Sequence, residues 1–130
     1  PIDVLDLGCG RGPYLYFWHW YCESMGIEIS KWAVNHAFCK NVGYGDISKP
    51  FLDGLPKRDL ITAIDVLEHL NDEQLKQTLD NMSNFGKRFL FSIPFIGDPN
   101  LENDKTHKQF KTREEWVKLI ESHNIKIKER

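Results

Sequence analysis

Short apolar runs alternate with longer amphipathic stretches along this chain. The runs are typical of strands buried on both faces of a parallel sheet, and the stretches space their apolar residues as helices packed on a sheet do. The pattern predicts strands at residues 4–7, 25–29, 42–46, 59–64, 88–95 and 125–129, and helices at 14–22, 31–40, 71–86 and from 112 onward. This alternation predicts an α/β protein, a three-layer α/β/α sandwich around a doubly wound, mostly parallel sheet.

The predicted helix starts carry recognisable capping residues. Asn71 with Gln74, and Thr112 with Glu115, have the spacing of a capping box, in which the first side chain accepts from a backbone N–H of the first turn. Ser30 is placed to cap the helix that follows the second strand. These signals support the boundaries that the apolar pattern indicates.

Composition narrows the class of protein. The chain has 130 residues, 41% of them hydrophobic, which predicts a single packed domain over residues 1–130. Its net charge is −2, whereas a general nucleic-acid-binding protein has an excess of basic residues. We find no apolar run long enough to cross a bilayer and no signal sequence. The odd number of cysteines is typical of a protein whose thiols stay reduced. We therefore expect a cytoplasmic protein that does not bind membranes.

The most informative segment is residues 4–12, VLDLGCGRG, in which a buried strand runs directly into three glycines. Pro13 follows, and its fixed φ suits the first turn of a helix. A strand, a glycine turn and a helix form a nucleotide-binding corner, because glycine lets a ligand lie on the backbone and the helix N-terminus offers free N–H groups. Asp6 adds a carboxylate there, so we expect a cationic or hydroxyl-rich ligand rather than a pyrophosphate.

Residues 6–12, DLGCGRG, resemble motif I of the class I S-adenosylmethionine-dependent methyltransferases. The competing dinucleotide fingerprint, G-x-G-x-x-G, needs a glycine where this chain has Pro13. The resemblance implies a Rossmann-like methyltransferase fold, S-adenosylmethionine as cofactor and methyl transfer as the activity. Such domains usually have a helix before motif I and a terminal strand hairpin, so we expect either segments missing at both ends or an unusually compact protein.

The resemblance also implies which residues contact the cofactor. They are Asp6, Gly8, Cys9, Gly10 and Gly12 in motif I, Glu28 with Ile29, Asp46 with Ile47, and Asp65 with Val66. Glu28 lies 22 positions after Asp6, about one βαβ crossover away, and would accept the ribose hydroxyls. Asp46 would face the adenine amino group. A solvated carboxylate at a strand end is the other interpretation of Glu28, and an ordinary turn is that of Asp46.

Two histidines are the candidate catalytic residues. A hydroxyl acceptor would benefit from a general base, and His69 follows the fourth strand at the same sheet edge as motif I. His107 lies in the polar segment 96–111, which is too long for a simple connector and is predicted to be a substrate lid. A solvated loop histidine is an equally good interpretation of His107.

Metal-ligand spacing is present beside His69. Asp65, Glu68 and His69 lie within one turn and resemble the Glu-x-x-Glu-His site of some magnesium-assisted O-methyltransferases, with Asp for the first Glu and His107 as a possible fourth ligand. The same Leu-Glu-His-Leu sequence is common in small methyltransferases that have no metal. We therefore expect a site without a metal ion.

The acceptor is expected to be a small molecule rather than nucleic acid. DNA amino-methyltransferases carry an Asn/Asp-Pro-Pro-aromatic tetrapeptide at the sheet edge where this chain has residues 65–68, DVLE. Two functions from other classes stay open, a nicotinamide-dependent oxidoreductase and a non-catalytic protein that binds S-adenosylmethionine.

Overall fold

A five-stranded parallel sheet organises the protein. The computed structural model describes residues 2–50 and 56–128. Within them the strands, in the order β3-β2-β1-β4-β5, are β1 (Asp3–Leu7), β2 (Glu23–Glu28), β3 (Val42–Tyr44), β4 (Leu60–Ile64) and β5 (Phe89–Ser92). The helices are α1 (Pro13–Trp18), α2 (Lys31–Asn35), α3 (Asp72–Phe85), α4 (Pro99–Asn103) and α5 (Arg113–Glu121), with a single-turn 3-10 helix at Leu67–His69. The predicted fold class is confirmed.

Strand β1 occupies the centre of the sheet. Its Leu5 and Leu7 side chains are fully buried, and it pairs in parallel with β2 and β4, with Asp6 opposite Thr62 of β4. Because the strands are parallel, the carboxyl ends of β1, β2 and β4 lie at one edge. The segments that follow these three strands therefore meet there.

Two apolar clusters cover opposite faces of the sheet. Alternate residues of β2 show this, since the Gly26 backbone lies against Leu15 of α1 whereas Ile27 belongs to the larger cluster. That larger cluster includes Leu5, Leu7, Ile61 and Ala63 from the strands, Leu75, Leu79 and Met82 from α3, and Trp116 and Ile120 from α5. The smaller cluster packs Cys9, Leu15 and Val42.

Local signals set the helix starts as expected. Asn71 and Gln74 form both hydrogen bonds of a capping box at α3, and the Thr112 hydroxyl accepts from the Glu115 N–H at α5. The Ser30 hydroxyl accepts from the Ala33 N–H at the start of α2. These short-range contacts fix where each helix begins.

Two helices end earlier than their apolar patterns predict. Helix α1 ends at Trp18, not at residue 22, because β2 already begins at Glu23, whose N–H donates to the Ile2 carbonyl. Helix α2 ends at Asn35, not at residue 40, and the Phe38 N–H donates to the Arg11 carbonyl instead of continuing the helix. A tertiary hydrogen bond thus follows the end of α2, whereas the Tyr21 and Cys22 N–H groups after α1 still donate to the nearby Trp18 carbonyl.

The predicted sixth strand, residues 125–129, is wrong for the part that the structure describes. Residues 125–128 form no strand, and Glu129 lies outside the described residues. Ile125 is nevertheless buried, and Ile127 packs against the same core. The alternation therefore reports burial after α5 and not pairing with a neighbouring strand.

Residues 96–111 are more structured than a simple loop. They contain α4, whose Leu101 side chain is fully buried.

Over the ranges described, the structure contains no helix that is both long enough and apolar enough to cross a membrane.

Candidate active site

Asp6 is a buried carboxylate near the end of β1. Its side chain is 2% exposed, and its Oδ1 accepts a hydrogen bond from the Thr62 hydroxyl at 2.8 Å. Burial raises the pKa of Asp6 to about 6, and the Thr62 hydrogen bond acts in the opposite direction. A cationic group placed beside this carboxylate would stabilise its charged form.

The glycine loop after β1 has three left-handed residues, Gly8, Gly10 and Gly12, with φ of 64°, 59° and 79°. A Cβ on Gly8 would lie 2.3 Å from Val66 Cγ2, and one on Gly12 would lie 2.7 Å from Val42 Cγ2. A Cβ on Gly10 would meet no atom of the described residues within 4 Å. Gly8 and Gly12 are therefore needed for close packing, whereas Gly10 leaves its backbone accessible to a ligand.

Glu28 lies at the end of β2, on the neighbouring strand. Its Oε1 accepts from the Gly10 N–H at 2.9 Å, and its Oε2 accepts from the Ser30 N–H at 2.7 Å. Each carboxylate oxygen has a second lone pair that can accept from a hydroxyl. The structure therefore brings Asp6, the glycine loop and Glu28 together at one sheet edge.

A cavity of about 320 Å³ opens beside this loop, and we call it the glycine-loop cavity. It is lined by Asp6, Gly8, Cys9, Gly10, Arg11, Pro13, Tyr14, Phe38 and Ile64. Burial, together with the nearby Asp6 and Glu28 charges, raises the pKa of the Cys9 thiol to about 12. Cys9 is thus a neutral, small side chain here and not a nucleophile.

Seven predicted cofactor residues lie outside that lining: Gly12, Glu28, Ile29, Asp46, Ile47, Asp65 and Val66. Ile29 follows β2 and is 59% exposed, whereas Ile47 is buried in the larger apolar cluster. Asp46 Oδ1 accepts from the Ser48 N–H and hydroxyl, and the hydroxyl hydrogen bond is the main cause of a lowered pKa for Asp46. Their roles toward adenosine stay predictions.

Asp65 and Val66 follow β4 and lie beside the glycine loop. Asp65 has a left-handed backbone, with φ of 53°, and its Oδ1 accepts from the Ser92 hydroxyl at 3.0 Å. A non-glycine residue in this conformation is uncommon. The Val66 side chain packs against Gly8, so the segment after β4 contacts the segment after β1 directly.

A second cavity, of about 760 Å³, begins at Asp65, and we call it the histidine cavity. Ile64, the residue before Asp65, lines the glycine-loop cavity, so the two cavities are adjacent. The lining of the histidine cavity is Asp65, Glu68, His69, Ser92, Ile93, Pro94, Asp98, Asn100, Asn103, Asp104, Lys105, Thr106 and His107. Its four carboxylates give it an acidic character.

The two candidate histidines meet in the histidine cavity, with ring centroids 4.6 Å apart. The Leu101 carbonyl accepts from His107 Nδ1 at 2.8 Å, so this nitrogen carries the proton. The Thr106 hydroxyl donates to Asp104 Oδ1 and therefore accepts from His69 Nδ1, at 2.9 Å. In the neutral rings, both Nε2 atoms therefore keep a free lone pair.

Glu68 is a buried carboxylate facing both rings. Its side chain is 1% exposed, and its Oε1 lies 3.6 Å from His69 Nε2 and 4.0 Å from His107 Nε2. Among the described residues, Oε2 has no hydrogen-bond partner. Burial is the main cause that raises the pKa of Glu68. The wall of the histidine cavity thus contains a buried carboxyl group with one unpaired oxygen.

Sequence reasoning missed several residues that hold these groups in place. Thr62 binds Asp6, Thr106 orients His69, and Gln109 Nε2 donates to the Leu70 carbonyl at 2.8 Å. Gln109 is 2% exposed, which its polar sequence context did not indicate. The turn sequence Asp-Lys-Thr-His ending at His107 was the one local signal for part of this set.

The family-model comparison finds a match described as "Methyltransferase domain" over residues 1–127. The chain belongs to this family of methyltransferase domains. A search of curated proteins gives no significant match.

Solved structures show the same fold. A methyltransferase from Archaeoglobus fulgidus, described as SAM-dependent, is 27% identical with a TM-score of 0.73, over 94% of this chain and 60% of that one. A Haloferax volcanii methyltransferase, solved with the Trm112 methyltransferase activator, is 17% identical with a TM-score of 0.79, over 98% and 63%. The small RNA methyltransferase HEN1 is 21% identical with a TM-score of 0.77, over 94% and 19%. The chain thus spans less than two thirds of each.

These findings confirm the class I S-adenosylmethionine-dependent methyltransferase resemblance and support S-adenosylmethionine as the cofactor of this methyltransferase domain. They also fit the geometry, because the family's motif I coincides with the left-handed glycine loop between Asp6 and Glu28.

Proposed function

We propose that this domain binds S-adenosylmethionine in the glycine-loop cavity and transfers its methyl group to an acceptor held in the histidine cavity. The observation that carries the proposal is that Asp6 and Gly10 line the glycine-loop cavity while Glu28 accepts a hydrogen bond from the Gly10 N–H. One carboxylate suits the ammonium group of the methionine moiety, and the other suits two ribose hydroxyls. A pyrophosphate would be repelled by both.

Each cofactor residue has a distinct role in this proposal. Asp6, with the loop backbone at Gly8, Cys9, Gly10 and Gly12, would hold the methionine moiety. Glu28 and Ile29 would contact the ribose, Asp46 and Ile47 the adenine, and Asp65 and Val66 the methionyl side. The sulfonium supplies an already activated methyl group when the cofactor is bound, so the protein's task is to position the acceptor and exclude water.

We propose a hydroxyl-bearing small molecule as the acceptor. The acidic lining at Asp65, Glu68, Asp98 and Asp104 disfavours a polyphosphate chain. His69 Nε2 has a free lone pair and its side chain is 35% exposed, so it is the first candidate to accept the hydroxyl proton, and His107 is the second. The cytoplasmic location remains a prediction from the sequence.

Calorimetry with S-adenosylhomocysteine tests the cofactor site. We expect one binding site, with an affinity about 100-fold lower in Asp6→Asn and unchanged in Asp3→Asn. Asp3 is the matched control because it lies at the other end of β1, where its carboxylate binds Arg58 at 2.8 Å. Binding of NADH in place of S-adenosylhomocysteine would overturn the proposal.

Methyl-label transfer to fractionated extracts then tests the acceptor class. We expect label in small molecules and not in RNA or protein. Label in RNA, the substrate class named for HEN1, would refute the small-molecule assignment while leaving the cofactor site intact. Cofactor binding without any transfer would identify a non-catalytic binding protein. If His69→Ala transfers the methyl group at the same rate as the unsubstituted chain at all pH values, His69 is not the base.

A further inference from the structure

Three metal-ligating atoms converge in the histidine cavity. Glu68 and His69 come from the 3-10 helix after β4, and His107 comes from the segment after α4. One ligand atom from each lies within 4.8 Å of the others. We infer that these three side chains bind a divalent metal ion of the zinc or manganese type. This departs from the expectation of a site without metal.

The hydrogen bonds on the far side of each ring support this inference. His69 Nδ1 donates to Thr106 and His107 Nδ1 donates to the Leu101 carbonyl, so both Nε2 lone pairs are free and lie near Glu68 Oε1. His107 Nε2 also lies 3.4 Å from Asp104 Oδ2. Two lone pairs directed at an anion repel it unless a positive charge lies between them. Metal-binding histidines generally have this arrangement, in which the second nitrogen donates to an oxygen and fixes the ring.

The Glu68 side chain supplies the second, independent observation. It is 1% exposed, and its Oε2 has no hydrogen-bond partner in the part of the chain that the structure describes. A buried carboxylate without a partner is costly, and a bound cation would remove that cost. The Glu68 main-chain carbonyl also accepts from the Lys108 and Gln109 N–H groups, at 2.7 and 3.1 Å, which holds the His107 segment against Glu68.

The donor set selects the kind of metal. Two imidazoles and one carboxylate suit Zn²⁺, Mn²⁺ or Fe²⁺, whereas Mg²⁺ and Ca²⁺ prefer oxygen alone. A tetrahedral site with bonds of about 2.1 Å separates its ligands by about 3.4 Å. The distances from Glu68 Oε1 are 3.6 Å to His69 Nε2 and 4.0 Å to His107 Nε2, and the three ligand atoms lie within 4.8 Å of one another, so the side chains would move closer together on binding. The open coordination positions would face the histidine cavity, where an acceptor oxygen could bind. Because the ion would occupy both Nε2 lone pairs, His69 and His107 could act as the proposed bases only in the metal-free protein.

Metal binding can be measured without cofactor or acceptor, so this inference does not depend on the proposed function. The chain is treated with a chelator and then titrated with Mn²⁺, followed by electron paramagnetic resonance, and with Zn²⁺ by calorimetry in the presence of a phosphine reductant. Mn²⁺ binds thiolates poorly, so it separates this site from the three cysteines. We expect one equivalent of metal and a higher Tm on binding.

Variants locate the ion. His107→Ala and Glu68→Gln should each weaken metal binding at least tenfold, whereas His123→Ala, the control, should not, because His123 pairs with Asp80 elsewhere on the surface. If Glu68→Gln does not fold, the partly exposed His69→Ala serves in its place. Less than half an equivalent of metal, or binding that all these substitutions leave unchanged, would overturn the inference.

Thr106 tests the orienting hydrogen bond. Thr106→Val removes the oxygen that accepts from His69 Nδ1 and should weaken metal binding about tenfold, while Thr106→Ser should restore it. Equal affinities for the valine and serine variants would contradict the assigned geometry. If metal binds but methyl transfer fails, the proposed function is refuted and the metal site stands.

Discussion

The glycine-loop cavity and the histidine cavity are adjacent but built differently. The first is lined mainly by one continuous segment, residues 6–14, together with Phe38 and Ile64, and Glu28 of the neighbouring strand accepts from the Gly10 N–H. The second combines side chains after β4, β5 and α4, and Thr106 and His69 contact each other across 37 positions of sequence. A site formed by a local backbone conformation can be predicted from its own short sequence. A site formed by tertiary packing cannot, because its residues come from separate elements whose relative positions the local sequence does not determine.

The largest expected effect comes from Asp6. Asp6→Asn removes the charge that faces the ligand's ammonium group, so S-adenosylhomocysteine should bind about 100-fold more weakly. The free protein should not lose stability, because asparagine keeps an oxygen to accept from Thr62 and needs no buried charge. Calorimetry and denaturant unfolding measure the two quantities. An affinity within threefold of the unsubstituted chain would show that the local segment does not select the ligand by charge.

Gly8 tests whether the loop conformation depends on its neighbour. Gly8→Ala combines an unfavourable left-handed φ with a contact of 2.3 Å to Val66, and should lower the free energy of unfolding by about 3 kcal/mol. The matched control is Gly10→Ala. Gly10 has a similar φ, a Cβ there would meet no atom within 4 Å among residues 2–50 and 56–128, and the variant should lose only about 1 kcal/mol. Urea unfolding measures both. Equal losses of unfolding free energy in the two variants would mean that packing against Val66 does not contribute to the cost of Gly8→Ala.

Gln109 tests the tertiary construction of the histidine cavity. Gln109→Ala removes hydrogen bonds to the Leu70 carbonyl and Asp72 Oδ1, at 2.8 and 3.1 Å, and should cost about 2 kcal/mol. Hydrogen exchange should then accelerate at the Lys108 and Gln109 amides, and exchange in the glycine loop should not change. Acceleration at both places would show that the two cavities are one cooperative unit and not two.

The smallest expected effect is a pH dependence of cofactor binding. The pKa of Asp6 is raised to about 6 in the free protein, and a bound ammonium group favours the ionised form. Affinity should therefore fall as pH drops through that value, about tenfold between pH 7 and pH 5. Calorimetry should also show proton release on binding near pH 6. In Asp6→Asn, this pH dependence should disappear.

The same carboxyl gives a stability test with a definite sign. Its pKa is higher in the folded state than in an unfolded chain, so the folded state binds the extra proton between about pH 4 and pH 6. The Asp6 contribution to stability should fall as pH rises through this window. Asp6→Asn should therefore be more stable than the unsubstituted chain at pH 7 and equal to it near pH 4, as judged by urea unfolding.

The contrast between the cavities also explains which parts the sequence predicts. Asp6, Gly10 and Glu28 follow from motif spacing, because a left-handed glycine turn after a strand needs few tertiary contacts to form. Gln109 is hidden in a polar segment, and only the packed structure makes its burial visible. Residues 125–128 show the converse error, since Ile125 alternates with charged neighbours and is buried without any strand pairing. Hydrophobic periodicity predicts which side chains are buried. It does not predict which backbone N–H and C=O groups form strand hydrogen bonds.

The register between β1 and β4 has a mechanical consequence. Leu7 lies opposite Ala63, so the glycine loop and the segment leading to His69 leave the sheet from adjacent strands at the same level. Adjacent strands are held about 4.8 Å apart by their ladder of hydrogen bonds. The hydrogen-bonded pair of strands β1 and β4 therefore sets the distance between the two cavities. A group that passes from one cavity to the other would cross this distance, which would change little as the surrounding helices and loops move.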